Sequence, residues 1–249
     1  MKILLLSDIH ANYAALKAID DQVDASSFDL VLNGGDTLVY GPYPNQTIDW
    51  LRDHKAISIL GNTDRHVLTL LDGNTFKKPR KADKRIMYGW TAAELSAQNV
   101  TWLRQQPLSR IVALAEDGEN GRAPHRLLMC HGSPADPDEF LFPDTPSCRM
   151  RELAAIAAAE HCTLVTVGHS HTPFSRESAG INFINPGSAG RMFDGKLSAG
   201  CAVLSITEKS VECTLHRIPY PVQEVADEIT RLRLPPIYTE MYLRGRKLN

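Results

Sequence analysis

The chain has 249 residues, 43% of them hydrophobic and 22% charged, with a formal net charge of −2. These values fit a globular protein with a sizeable core, and they exclude whole-molecule attraction to nucleic acid or an anionic membrane. No window approaches the roughly 18 apolar residues of a membrane-spanning helix. Five scattered cysteines, odd in number and without a CxxC pair, exclude a complete disulfide framework.

The start, MKILLLSDIH, has too short an apolar stretch for a signal-peptide core, so a cytoplasmic location is expected. KILLLS (2–7) is a β-rich run that stops at Asp8. Leu16, Ile19 and Val23 then recur at helical spacing behind Asn12, a residue suited to an N-cap. DLVLN (29–33) predicts a strand ending in Gly34-Gly35-Asp36, PNQTIDWLRDH a helix, and AISIL (56–60) a strand ending in Gly61-Asn62. A helix follows from about Thr63, then a polar stretch (72–85), a helix over 91–106, an RIVALA strand and a turn-rich segment, EDGENGRAPH. RLLMC (126–130) reads as a strand ending in His131-Gly132, SCRMRELAAIAAAE as a helix, and TLVTV (163–167) as a strand ending in Gly168-His169-Ser170-His171. Short strands INFIN, AGCAVLSI and VECTLHRI come next, then the helix PVQEVADEITRLR and a basic tail over 235–249. No repeat or linker divides the chain, so 1–249 is expected to form a single domain of α/β class.

Five predicted strands thus end in groups able to bind metal or phosphate. In open α/β sheets the carboxyl ends of strands line one edge, where ligands bind, so groups spread over 160 residues would converge. Two Asp, four His and one Asn form a hard-to-borderline ligand set that suits Mn²⁺, Fe or Zn²⁺ and lacks the thiolates of structural zinc sites. A glycine beside each group would let the backbone take positive φ and turn away from the sheet. Each group alone is as readily a helix cap or a structural imidazole; their joint occurrence at strand ends points to a site.

In their order and spacing, DxH, GD, GN, HG and GHxH resemble the calcineurin-like metallophosphoesterase superfamily, from residue 3 to about 220. Further segments, GGDTLVYGPYPNQTIDWLR, GWTAAELSAQNVTWL, CHGSP and INPGSAGRMFDG, resemble a branch of small stand-alone bacterial phosphoesterases. The resemblance implies a two-layered β-sandwich core flanked by α-helices, with the site at one end. It implies two divalent ions, Mn first and Fe, Zn or Ni otherwise. One would be held by Asp8, His10 and His171 and the other by Asn62, His131 and His169, with Asp36 bridging. Asp36, Asn62 and His131 would carry catalysis: hydrolysis of a phosphodiester or nucleotide-like small molecule by a metal-activated hydroxide. The alternatives are a phosphomonoesterase and a non-catalytic scaffold that keeps the fold.

The chain departs from the superfamily where GNH(D/E) is usual. Here Thr63 follows Asn62, and Thr cannot act as an acid near pH 7. His66, three residues on, is a candidate substitute and substrate contact, or an exposed helical His. Arg191 could grip substrate phosphate bidentately or belong to a structural turn. The segment 77–85, with six basic residues against Asp83, is a lid over an anionic substrate or a solvated loop. Arg244, Arg246 and Lys247 are expected in a disordered end, and Cys130 in the core. Neither oligomeric state nor nucleic-acid binding is indicated.

Overall fold

A computed structural model describes residues 1–114, 125–207 and 210–248. Two five-stranded sheets face each other. The first holds β1 (Lys2–Leu6), β2 (Leu30–Asn33), β3 (Ile57–Ser58), β9 (Ser198–Ile206) and β10 (Val211–Pro219), in the order β10-β9-β1-β2-β3. The second holds β4 (Ser109–Ala113), β5 (Arg126–Cys130), β6 (Leu164–Thr166), β7 (Phe174–Ser178) and β8 (Ile181–Asn185), in the order β4-β5-β6-β8-β7. The strands β1, β2 and β3 run parallel, as do β5, β6 and β8. The expected sandwich is therefore present. Its site-bearing strand ends come from two sheets meeting at one end, and not from the single sheet edge that an open α/β sheet would supply.

Strand β1 is apolar throughout because both of its faces are covered. Ile3 and Leu5 point between the sheets, where they meet Leu32, Leu127, Met129, Leu164 and Ile184. Leu4 and Leu6 point outward onto Leu16 and Ile19 of α1 (Tyr13–Val23) and Trp50 of α2 (Pro44–Asp53). The second sheet repeats the device. Leu128, Val165 and Phe183 pack on Met150, Leu153 and Ala157 of α6 (Ser147–Ala159). Asn12 caps α1 as expected, its side chain accepting from the Ala15 N–H at 3.1 Å. Cys130 is buried in the core, and all five cysteines are free.

Two helix boundaries differ from expectation. The helix expected at 91–106 is two, α4 (Ala82–Glu94) and α5 (Ala97–Arg104), which follow α3 (Asn62–Leu71). The break comes at Leu95 and Ser96, both extended, because Ser96 accepts from the Asn99 N–H and caps a new helix. The basic stretch 72–85 is not wholly loop, since α4 begins at Ala82 with Asp83 in its first turn. The turn-rich EDGENGRAPH lies outside the described residues apart from His125.

The basic end is not a disordered tail. After α7 (Val222–Arg231), residues Pro236–Arg244 form α8. Pro236 occupies its first turn and Gly245 ends it at φ 58°, the left-handed region that suits glycine. Tyr238, Met241 and Tyr242 are buried against Val225 and Ile229 of α7 and Tyr88 of α4. Among the described residues, no helix is long and apolar enough to cross a membrane.

Tyr238 is fully buried and stacks on Tyr40 with ring centroids 5.3 Å apart. Truncation to Tyr238→Ala should remove about 3 kcal/mol or more of stability, as for other buried aromatics. Chemical denaturation of wild type and variant measures this, and an unchanged midpoint would mean that α8 is not docked.

Candidate metal centre

The loops after β1, β2, β3, β5 and β6 bring the seven predicted ligands together at one end of the sandwich. One ligand atom each from Asp8, His10 and His171 lies within 4.8 Å of the others, and so does one each from Asp36, His131 and His169. Asp36 joins the two groups. Its Oδ2 is 3.8 Å from His10 Nε2 and its Oδ1 is 3.4 Å from His131 Nε2. Asn62, the first residue of α3, presents one end of its amide to Asp36 Oδ2 at 3.2 Å and His169 Nδ1 at 2.9 Å.

Backbone conformation aims these side chains. Asp8, His10, Asp36, His169 and His171 all adopt left-handed φ, between 51° and 62°, at a cost of roughly 1–2 kcal/mol each for L-residues. The glycines work differently from expectation. Of those adjoining ligands, Gly35 takes φ 91°, while Gly61 and Gly168 are needed for room. A Cβ on Gly61 would strike Asp36, and one on Gly168 would strike Ser7 and Asp8. The strain thus sits on the ligands themselves, and the glycines let the loops close over it.

Each of three imidazoles is held by a backbone carbonyl. His10 Nδ1 lies 3.3 Å from the Leu38 carbonyl, His131 Nδ1 2.9 Å from that of Gly34, and His171 Nδ1 2.6 Å from that of Arg191. A carbonyl only accepts, so each Nδ1 carries a proton and each Nε2 faces inward, where a neutral ring offers a lone pair. This is how proteins orient metal-binding histidines. His10 Nε2 and His171 Nε2 then face each other at 3.2 Å, a contact that either a shared proton or a cation bound between them relieves. The Asn62 amide nitrogen can donate to both Asp36 Oδ2 and His169 Nδ1, whereas a metal held there would take the amide oxygen.

Electrostatics point the same way. Asp8 and Asp36 are buried. Burial would raise their carboxyls, but nearby histidines more than reverse it and hold both below the usual range, His171 acting chiefly on Asp8 and His131 on Asp36. The Thr63 N–H adds a bond to Asp36 Oδ1 at 2.8 Å, and the His169 N–H and Ser7 Oγ donate to Asp8. Burial pushes His10 down to about 3. Burial also opposes charging His131, but the Asp36 carboxylate overcomes it and lifts that imidazole to about 10. Two buried carboxylates with oxygen and nitrogen donors and no thiolate fit hard-to-borderline divalent ions.

A cleft of about 380 Å³ opens over these groups, lined also by Tyr40, Thr63, Lys84, Phe140, Phe142, Arg191, Phe193 and Lys247. Arg191 is among these lining residues. It is buried, with its guanidinium 4.1 Å from the Tyr40 ring centre and 5.2 Å from that of Phe193. His66 does not line this cleft. It packs at 4.6 Å on Phe76 and edge-on to Tyr88, and opens to a neighbouring cleft beside Lys78 and Arg80. Asp64 is a clamp: it accepts from the N–H groups of Thr37, Leu38 and Gly61, tying the Asp36 loop to the start of α3. An acidic residue in the first turn of a helix, as Asp64 is after Gly61-Asn62, was the available signal. Phe140 and Phe142 were not foreseen; Phe140 stacks on His169 at 3.9 Å.

Residues 1–209 match the family model of the calcineurin-like phosphoesterase superfamily domain, and the chain belongs to that family. It is 27% identical to an uncharacterized protein of Methanocaldococcus jannaschii, over 98% of each chain. It is 29% identical to the symmetrical bis(5'-nucleosyl)-tetraphosphatase of Cronobacter sakazakii over 64% of this chain, and spans about half of that relative's length, 52%. Its fold matches the crystal structure of a metallophosphoesterase from Sphaerobacter thermophilus, with a TM-score of 0.76, 25% identity and coverage of 98% of this chain and 100% of that one.

The purified protein should bind close to two Mn²⁺ per chain, measured by elemental analysis after loading and desalting. Loading should release protons, because His131 must give up the one that Asp36 stabilises, so affinity should weaken as pH falls. Asp36→Asn should lose tight binding at both positions. One ion per wild-type chain, or full retention by the variant, would contradict the shared role of Asp36.

Proposed function

We propose that the chain is a dinuclear metal-dependent phosphoesterase acting on phosphodiester or nucleotide-like substrates. The observation that carries this reading is the pair of candidate ligand groups joined at Asp36, with imidazole nitrogens turned inward. Asp8, His10 and His171 would hold one ion, Asn62, His131 and His169 the other, and Asp36 both, with Mn the first candidate and Fe, Zn or Ni the others. Bound there, the ions would supply Lewis-acid charge to the phosphate and lower the pKa of water.

The protein's own groups then position the substrate. The Arg191 guanidinium, held flat among aromatic rings, offers its fork to a phosphate in the cleft. Asp64 keeps the Asp36 and Asn62 loops in register. The tetraphosphatase relative supports a nucleotide-like substrate, and five free cysteines support a cytoplasmic setting. A non-catalytic scaffold is disfavoured by the strain: five ligand candidates in left-handed conformation are costly for a fold with no chemistry to perform.

Leaving-group protonation is the weak point of this site. Thr63 donates its hydroxyl to the Leu38 carbonyl at 3.0 Å, and His66 lies outside the cleft lining. Rates should therefore fall steeply with leaving-group pKa, aryl phosphodiesters far exceeding alkyl ones. Thr63→His should raise turnover mainly for alkyl esters, and His66→Ala should leave the aryl-to-alkyl ratio within about twofold. A loss of roughly 10²-fold on alkyl esters in His66→Ala would instead make His66 the acid.

A further inference from the structure

The basic segment 77–85 is not spent on holding the fold together. Arg85 alone is committed there, to the carbonyls of Phe76 and Pro79 at 2.8 and 3.2 Å. Lys84, in the first turn of α4, lines the metal cleft, and it also lines a second, open cleft of about 640 Å³ with His66, Lys78, Arg80 and Lys81. Lys84 lines both, so the two clefts adjoin at this side chain, and their cations form a single row along what we term the trough. From the opposite side Lys247, just past α8, reaches the metal cleft, as does the buried Arg191.

Among the described residues, none of Lys78, Arg80, Lys81, Lys84, Arg191 and Lys247 takes part in an ion pair. The nearby Arg65 and Arg104 do, with Asp138 and Asp72. Unneutralised cations converging on a cleft repel one another, an arrangement that a bound polyanion would relieve. Lys84 registers this crowding: burial first, then Lys247, Arg191 and Lys81, bring it down to about 8.

We propose that this trough binds the phosphates next to the one held at the metal centre, so that the substrate carries a linear chain of phosphates, free or esterified. The proposal rests on the phosphoesterase reading and narrows its substrate class. A phosphate at the metal centre would meet Arg191, Lys84 and Lys247, which line that cleft; Lys78 and Lys81 line the adjoining cleft across Lys84 and would be left to phosphates further along the chain. The chemistry recognised is a row of anionic oxygens spaced for several ammonium and guanidinium groups.

Calorimetric titration of the Mn²⁺-loaded protein in excess Mg²⁺ tests this without turnover. The probes are orthophosphate, imidodiphosphate and diimidotriphosphate, whose bridging nitrogens resist hydrolysis, with adenylyl imidodiphosphate as the esterified chain. Affinity should rise about five- to tenfold with each added phosphate and weaken at high salt. The exposed double variant Lys78→Ala/Lys81→Ala should lose about tenfold on the three-phosphate chain relative to orthophosphate, and Lys78→Arg/Lys81→Arg should keep it. Equal affinity for the free and esterified chains would assign recognition to the phosphates, and a tighter nucleotide would add the nucleoside to it; both support the trough. Affinity independent of chain length, or a double alanine variant that binds the three-phosphate chain as wild type does, overturns it. Because binding is read directly, a protein that binds the chain but hydrolyses no ester would sink the phosphoesterase reading and leave the trough standing.

Discussion

Asp8 and Asp36 are buried at one end of the sandwich, and among the described residues they ion-pair only with imidazoles. Burying an ionised carboxylate costs several kcal/mol unless it is paired and hydrogen-bonded. The local solution is a shell of backbone N–H donors and carbonyl-anchored histidines that leaves four inward nitrogens and two carboxylates converging on one small volume. A divalent cation on each side of Asp36 would balance that charge. Arg191 brings its positive charge to the cleft, where it would add to the field felt by a bound phosphate.

The fold is what makes such loops tolerable. Five left-handed non-glycine residues at the centre represent about 5–10 kcal/mol of local strain, as much as the whole net stability of many domains. Two sheets packed through Ile3, Leu5, Leu127 and Leu164, each backed by helices, hold the strand ends still while the loops take costly turns. Asp64 and Ser188 reinforce this from outside. Asp64 bonds three backbone N–H groups, and the Ser188 hydroxyl donates to the Asp8 carbonyl at 2.6 Å across 180 residues of sequence.

Much of this was legible because strands and ligands announce themselves locally. KILLLSD and RLLMCH are apolar runs that stop at a chemically distinct residue, so both strand and candidate ligand could be read from a few positions. The partition into two sheets could not be read that way, since β1 pairs with β9 some 200 residues later. Helix α8 was hidden because Pro235-Pro236 and three basic residues resemble a chain end; its burial depends on Tyr40 and Tyr88, which lie far away in sequence. His66 was misplaced because helical spacing from Asn62 puts it near the site in projection, whereas its ring is drawn to Phe76 and Tyr88. Phe140, Phe142 and Lys84 lie in or beside loops, where no periodicity marks a residue as facing a cleft.

The most direct test of the shared carboxylate is anomalous diffraction from crystals of the Mn²⁺-loaded protein at the manganese edge. Two peaks should flank Asp36, one within bonding distance of Asp8, His10 and His171 and the other of Asn62, His131 and His169. A single peak, or two peaks of which Asp36 touches only one, would contradict the account.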